Sequence, residues 1–163
     1  MSGKRWINWA PLVSIAALVV VIAAGCPEET ETVEFTGEPE MIVADPGMDS
    51  AEVARMGQIV KVDEETFEQF VLGAQVPVLV DFYADWCPPC REMVPALEAI
   101  ADGYAGRAMV VKVDVDDNPG LAQEYGVHSL PTLVVISDGE VVDRTVGSQP
   151  RRNLEQMLDR ELG

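Results

Sequence analysis

Several residue types are scarce in this chain, and each scarcity closes off a class of function. The 163 residues hold three cysteines and one histidine. Three cysteines cannot build the multi-bridge framework of a small secreted scaffold. One histidine, His128, leaves too few ligands for a four-coordinate zinc site beside a working cysteine pair. Positive charge is also short: 11 Lys and Arg stand against 28 Asp and Glu, a formal net charge of -17. Gripping a phosphate backbone requires a basic surface, so nucleic acid is not an expected partner. Long apolar runs are missing after the first segment. The run from Leu12 to Gly25 reaches only about 21 Å at about 1.5 Å per residue, against a bilayer core of about 30 Å.

That first segment reads as a targeting signal. Lys4 and Arg5 precede the apolar stretch, and Ala23-Ala24-Gly25 places small residues before Cys26. The pattern resembles a bacterial lipoprotein signal over residues 1–25, with Ala23 where Leu is usual. It implies that Cys26 becomes the lipidated first residue and that the rest of the chain works outside the cytoplasm, in the periplasm or at the cell surface. An uncleaved membrane helix and a buried helix are the competing readings.

From Cys26 to Gly57 the composition is acidic, with Glu28, Glu29, Glu31, Glu34, Glu38, Glu40, Asp45, Asp49 and Glu52 against Arg55 alone. Few large apolar residues interrupt it, which predicts a disordered tether over 26–57, with a short helix allowed at Ser50 to Met56. A coil of about 30 residues spans about 30 Å on average.

A globular pattern begins at Gln58. Ile59 to Val62 reads as a strand. Asp63 reads as an N-cap for a helix carrying Thr66, Phe67, Phe70 and Val71 to Leu72. Strands follow at Val78–Tyr83, Ala108–Val113, Thr132–Ser137 and Glu140–Val146. Helices follow at Pro89 to Tyr104, Asn118 to Tyr125 and Pro150 to Leu162. Pro95 is expected to kink the second helix, because it has no N–H to donate. Asp138-Gly139 reads as a hairpin turn. Alternating strands and helices predict an α/β domain with parallel crossovers and one antiparallel hairpin.

The chemistry concentrates where the strand Val78–Tyr83 hands over to a helix through Ala84-Asp85-Trp86-Cys87-Pro88-Pro89-Cys90. Unpaired N–H groups and the positive dipole end of a helix favour a thiolate at its start. A second thiol one turn later can resolve any mixed disulfide. Cys87 is therefore the candidate attacking thiol, expected to be the more exposed, and Cys90 the resolving one. A structural disulfide and a metal pair are the plainer alternatives. Asp81, in an otherwise apolar strand, is expected to be desolvated and hard to ionise, unless it points to an exposed strand end.

The stretch Asp81-Phe82-Tyr83-Ala84-Asp85-Trp86-Cys87-Pro88-Pro89-Cys90, then Pro95, Ser129-Leu130-Pro131-Thr132, Asp138-Gly139 and Gly147, resembles the thioredoxin family from about Gln58 onward. Pro88 stands where the family commonly has Gly, and Tyr83 where it often has Trp. The resemblance implies a thioredoxin-like fold, a central mixed five-stranded sheet flanked by helices on both faces, in strand order 1-3-2-4-5. It implies that Asp81 accepts the proton of Cys90, that Lys112 neighbours that carboxylate, and that the bond before Pro131 is cis and faces the cysteines. Trp86, Leu130 and Gly147 would line an apolar patch for substrate, with Pro88 and Pro89 shaping the loop. His128 reads as an ordinary surface residue. No cofactor is implied beyond the Cys87–Cys90 disulfide. The partners implied are protein disulfides and a thiol electron donor or acceptor, met by a monomer. The function expected is a membrane-tethered, extracytoplasmic thiol-disulfide oxidoreductase working as a reductase. The rivals are a peptide-binding holdase and a metallochaperone using the same groove and thiols.

Overall fold

The computed structural model describes residues 41–163. The signal-type segment, Cys26 and the start of the acidic stretch lie outside the described residues. Six strands form one sheet: β1 (Ile42–Val43), β2 (Ile59–Lys61), β3 (Val78–Tyr83), β4 (Met109–Asp114), β5 (Thr132–Ser137) and β6 (Glu140–Val146), in the order β1-β2-β4-β3-β5-β6. β1, β2, β4 and β3 run parallel, while β5 is antiparallel to both of its neighbours, β3 and β6. From β2 onward this is the expected order 1-3-2-4-5. The sheet gains a sixth strand at one edge.

That strand corrects the expectation of a disordered tether through residue 57. Ile42 and Val43 pair with Val60 and Lys61. Helix α1 (Ser50–Met56) then returns the chain to β2. Asp49 caps α1 by accepting the Ala51 N–H at 2.9 Å, and Gly57 ends it with φ 65°. The left-handed cap suits glycine, which has no Cβ to clash. Val53 and Ala54 are buried, and the Ala54 carbonyl accepts the Gly106 N–H at 2.8 Å. Asp45, Asp49 and Glu52 are exposed, so composition hid two buried apolar contacts and a backbone anchor.

Period-two alternation divides β3 between two cores. Val78, Val80 and Phe82 face Phe67, Phe70 and Val71, together with Val53 of α1 and Leu121 of α3 (Pro119–Glu124). Leu79 faces Leu97 and Ile100 of α2 (Pro88–Gly103), and Leu154 and Leu158 of α4 (Arg151–Leu162). Asp81 and Tyr83 share the α2 face with Leu79. The helix runs continuously through Pro95. Asp63 does cap its turn, accepting the Thr66 N–H at 2.9 Å, but the segment expected to be α-helical closes as a π-helical turn over Glu68–Leu72. There the Gly73 N–H reaches back to the Glu68 carbonyl at 2.8 Å. Asp138 and Gly139 both have positive φ, at 52° and 77°, as a tight hairpin between twisted strands requires.

Candidate active site

β3 ends at Tyr83 in the interior of the sheet, and Ala84-Asp85-Trp86 carries the chain from its C-terminal end to α2. Cys87 is the N-cap of α2 and is bonded to Cys90, with an S–S distance of 2.04 Å. The Cys90 N–H donates to the Cys87 sulfur at 3.3 Å. Pro88 and Pro89, between them, have no N–H to offer. Both cysteines are buried, with Cys87 the slightly more exposed of the two, at 3% against 1% for Cys90. The disulfide is tucked into a small apolar cluster with Tyr83 and Ala84, against which Leu130 and Val115 pack.

The Leu130–Pro131 peptide is cis. Leu130 walls a groove of about 640 Å³ with Trp86, Cys87, Pro88 and Pro89. The opposite wall is Val115, Pro119, Ala122 and Val127, with exposed His128 and Ser129 at the rim. Trp86 is 66% exposed, and its indole N–H donates to Asp116 Oδ2 at 2.7 Å. That bond fixes a large apolar ring beside the disulfide. Gly147 does not wall the groove. Its N–H donates to the Pro131 carbonyl at 2.8 Å with φ 85°, so it anchors the turn that carries Leu130. Asp116, Val115 and Val127 are site residues that sequence reasoning missed. They come from segments that carry no motif.

Beneath α2 lies the ionisable pair. Asp81 and Lys112 are opposed on β3 and β4. Asp81 is fully buried, Lys112 is 3% exposed, and Lys112 Nζ stands 4.0 Å from Asp81 Oδ2. Neither Asp81 oxygen has a hydrogen-bond partner among the described residues. Burial pushes the Asp81 carboxyl up from 3.8 to about 7, while the Lys112 charge opposes the rise. Burial pushes Lys112 down, opposed chiefly by Asp81. A carboxyl titrating near neutrality can both take and return a proton. Among the described residues, no group of three or more His, Cys, Asp or Glu side chains is placed to hold a metal ion.

A disulfide at a helix N-terminus, an apolar groove opening on it and a buried acid under the same helix form one constellation. The thioredoxin family model matches residues 58–160. The chain belongs to the thioredoxin family. Thioredoxin 1 of Nostoc sp. is 46% identical over 107 residues, covering 66% of this chain and 100% of the relative. A thioredoxin of Staphylococcus aureus is 49% identical over 105 residues, covering 64% of this chain and 98% of the relative. Among solved structures, a mutant thioredoxin from Halobacterium salinarum superposes with a TM-score of 0.61 at 38% identity, covering 66% of this chain and 93% of that one. The fold is thioredoxin-like, and the activity is that of a protein-disulfide oxidoreductase of thioredoxin type. β1 and α1 lie before the matched residues and belong to this chain's own N-terminal extension.

Proposed function

We propose that this thioredoxin is a reductase of protein disulfides, held to a membrane outside the cytoplasm by a lipid on Cys26. Cys87 thiolate attacks one sulfur of the substrate disulfide. That bond breaks, a mixed disulfide forms, and one substrate thiolate leaves. Cys90 then gives its proton to Asp81 and attacks the Cys87 sulfur. The mixed disulfide breaks, the second substrate thiolate leaves and takes up a proton, and the protein is left with the disulfide described above. An external dithiol must then restore the reduced pair. The substrate segment would lie in the apolar groove, pairing its backbone beside Leu130.

The observation that carries the reading is the Cys87–Cys90 disulfide at the start of α2, at the mouth of the Trp86–Leu130 groove. The reducing direction is supported by the two prolines of the loop. With Pro88 and Pro89 lacking an N–H, the sulfur keeps the Cys90 N–H as its close backbone donor. Weaker stabilisation of the thiolate disfavours the reduced pair, which makes the pair a stronger reductant. The membrane anchor is supported by Lys4, Arg5, the apolar run and the small residues before Cys26. Insulin reduction with a thiol donor tests the activity. Wild type should precipitate the insulin B chain and Cys87→Ser should not. Equal activity of the two would refute the role of Cys87.

A further inference from the structure

We propose that Tyr83 is a positioning residue for this reaction, its ring face holding the Lys112 ammonium beside Asp81. The proposal rests on the reading of Asp81 as the proton acceptor of Cys90. Asp81 and Tyr83 are two residues apart on β3, so their side chains leave the same face of the sheet. Lys112 is paired with Asp81 on the neighbouring strand, on that same face. Lys112 Nζ lies 3.9 Å from the Tyr83 ring centroid and 4.0 Å from Asp81 Oδ2. A cation at that distance over an aromatic face is attracted by the ring quadrupole, more strongly where water is excluded. The ammonium is held between a carboxyl it does not reach by hydrogen bond and a ring it sits against.

The rest of the surroundings leave the ring in charge of that position. The other charged groups facing Lys112 are Asp85 after β3, Asp114 on β4 and Lys61 on β2. Lys61 reaches the Tyr83 hydroxyl and the carboxylates of Asp114 and Asp117, at 3.8 Å and 3.6 Å, and its Nζ lies 5.9 Å from the ring centroid, farther than that of Lys112. Arg91 and Glu98 of α2 line a cavity of about 560 Å³ that Tyr83 and Lys112 also wall. Without the ring, the flexible lysine stem could swing into that cavity and leave Asp81. Tyr83 also packs in the cluster that holds Cys87 and Cys90. It therefore joins the dithiol to the charge that opposes protonation of Asp81.

The test is the titration midpoint of the Asp81 carboxyl carbon, followed by NMR in the labelled full chain. Tyr83→Leu should raise the midpoint by about 0.5 to 1 pH unit, because Lys112 no longer opposes protonation as closely. Tyr83→Phe keeps the ring face and should stay within about 0.2 unit of wild type. In a Lys112→Met background, Tyr83→Leu should shift nothing. The same shift in that background would show that the ring acts by packing or by excluding water, and would overturn the proposal. So would an unmoved midpoint in Tyr83→Leu alone. If Tyr83→Leu does not fold, a trifluorinated phenylalanine at position 83 removes the negative ring face at nearly constant shape. It should reproduce the rise, and wild-type behaviour there would equally overturn the assignment. Undiminished turnover in Asp81→Asn would sink the proton-acceptor reading while leaving the titration result to stand by itself.

Discussion

Replacing Asp81 with Asn isolates the energetic consequence of burying an acid under α2. The folded carboxyl titrates at about 7, against an ordinary value of 3.8. A raised acid pKa means that the folded state binds the proton more tightly than the unfolded state. The associated stability is fully present below about pH 3.8 and is lost as pH rises through about 7. A separation of about 3 units corresponds to about 4 kcal/mol, spread over that window at about 1.4 kcal/mol per pH unit. Asn does not titrate, so Asp81→Asn escapes the loss. Urea unfolding of both proteins from pH 4 to pH 9 should show the variant gaining on wild type with rising pH, by up to about 4 kcal/mol. In a Lys112→Met background the gap should widen, because Asp81 loses the charge that opposes its protonation. A difference that stays constant across the range would refute the buried, raised carboxyl. So would a variant that loses ground as pH rises.

The remaining predictions touch other parts of the chain. Pro88→Gly returns an N–H to the loop and loosens the reduced form, so the pair should become more oxidising by about 10 to 40 mV on equilibration with glutathione; a more reducing pair would mean that the prolines strain the disulfide. A chain starting at Gln58 loses β1 and the buried Val53 and Ala54, and should be less stable by about 3 kcal/mol than one starting at Gly37. Equal urea midpoints would show that the extension contributes nothing. Mass spectrometry of the protein from membranes should find Cys26 at the N-terminus and acylated; an intact Met1 would contradict the lipoprotein proposal.

The strands of the domain were legible because buried parallel strands are nearly continuous apolar runs, as in Val78-Leu79-Val80. Asp81 stood out for the same reason, as one carboxylate in such a run. β1 was not legible. Two residues, Ile42 and Val43, carry no period, and their pairing depends on β2 rather than on neighbours in sequence. α1 was allowed over its actual bounds, Ser50–Met56, but its packing through Val53 and Ala54 was not legible, because the surrounding composition is acidic. The π-helical turn at Glu68–Leu72 leaves the same Phe67, Phe70 and Val71 spacing as an α-helix, so a one-residue widening has no mark in the pattern. At the site, the cysteines and Pro131 were carried by motifs. The Trp86–Asp116 bond, the Val115 and Val127 wall and the seat of Lys112 on Tyr83 arise from register and loop packing between distant segments. The order of exposure of the two cysteines was legible, but the cover over both, from Leu130 and Val115 across the fold, was not.

The central claim is that Cys87 attacks and Cys90 resolves, and trapping the mixed disulfide tests it most directly. Reduced Cys90→Ser should accumulate a covalent complex with a disulfide-bonded protein substrate, seen on a non-reducing gel and released by excess thiol. Reduced Cys87→Ser should form none. A complex trapped by Cys87→Ser instead, or none by Cys90→Ser, would contradict the assignment.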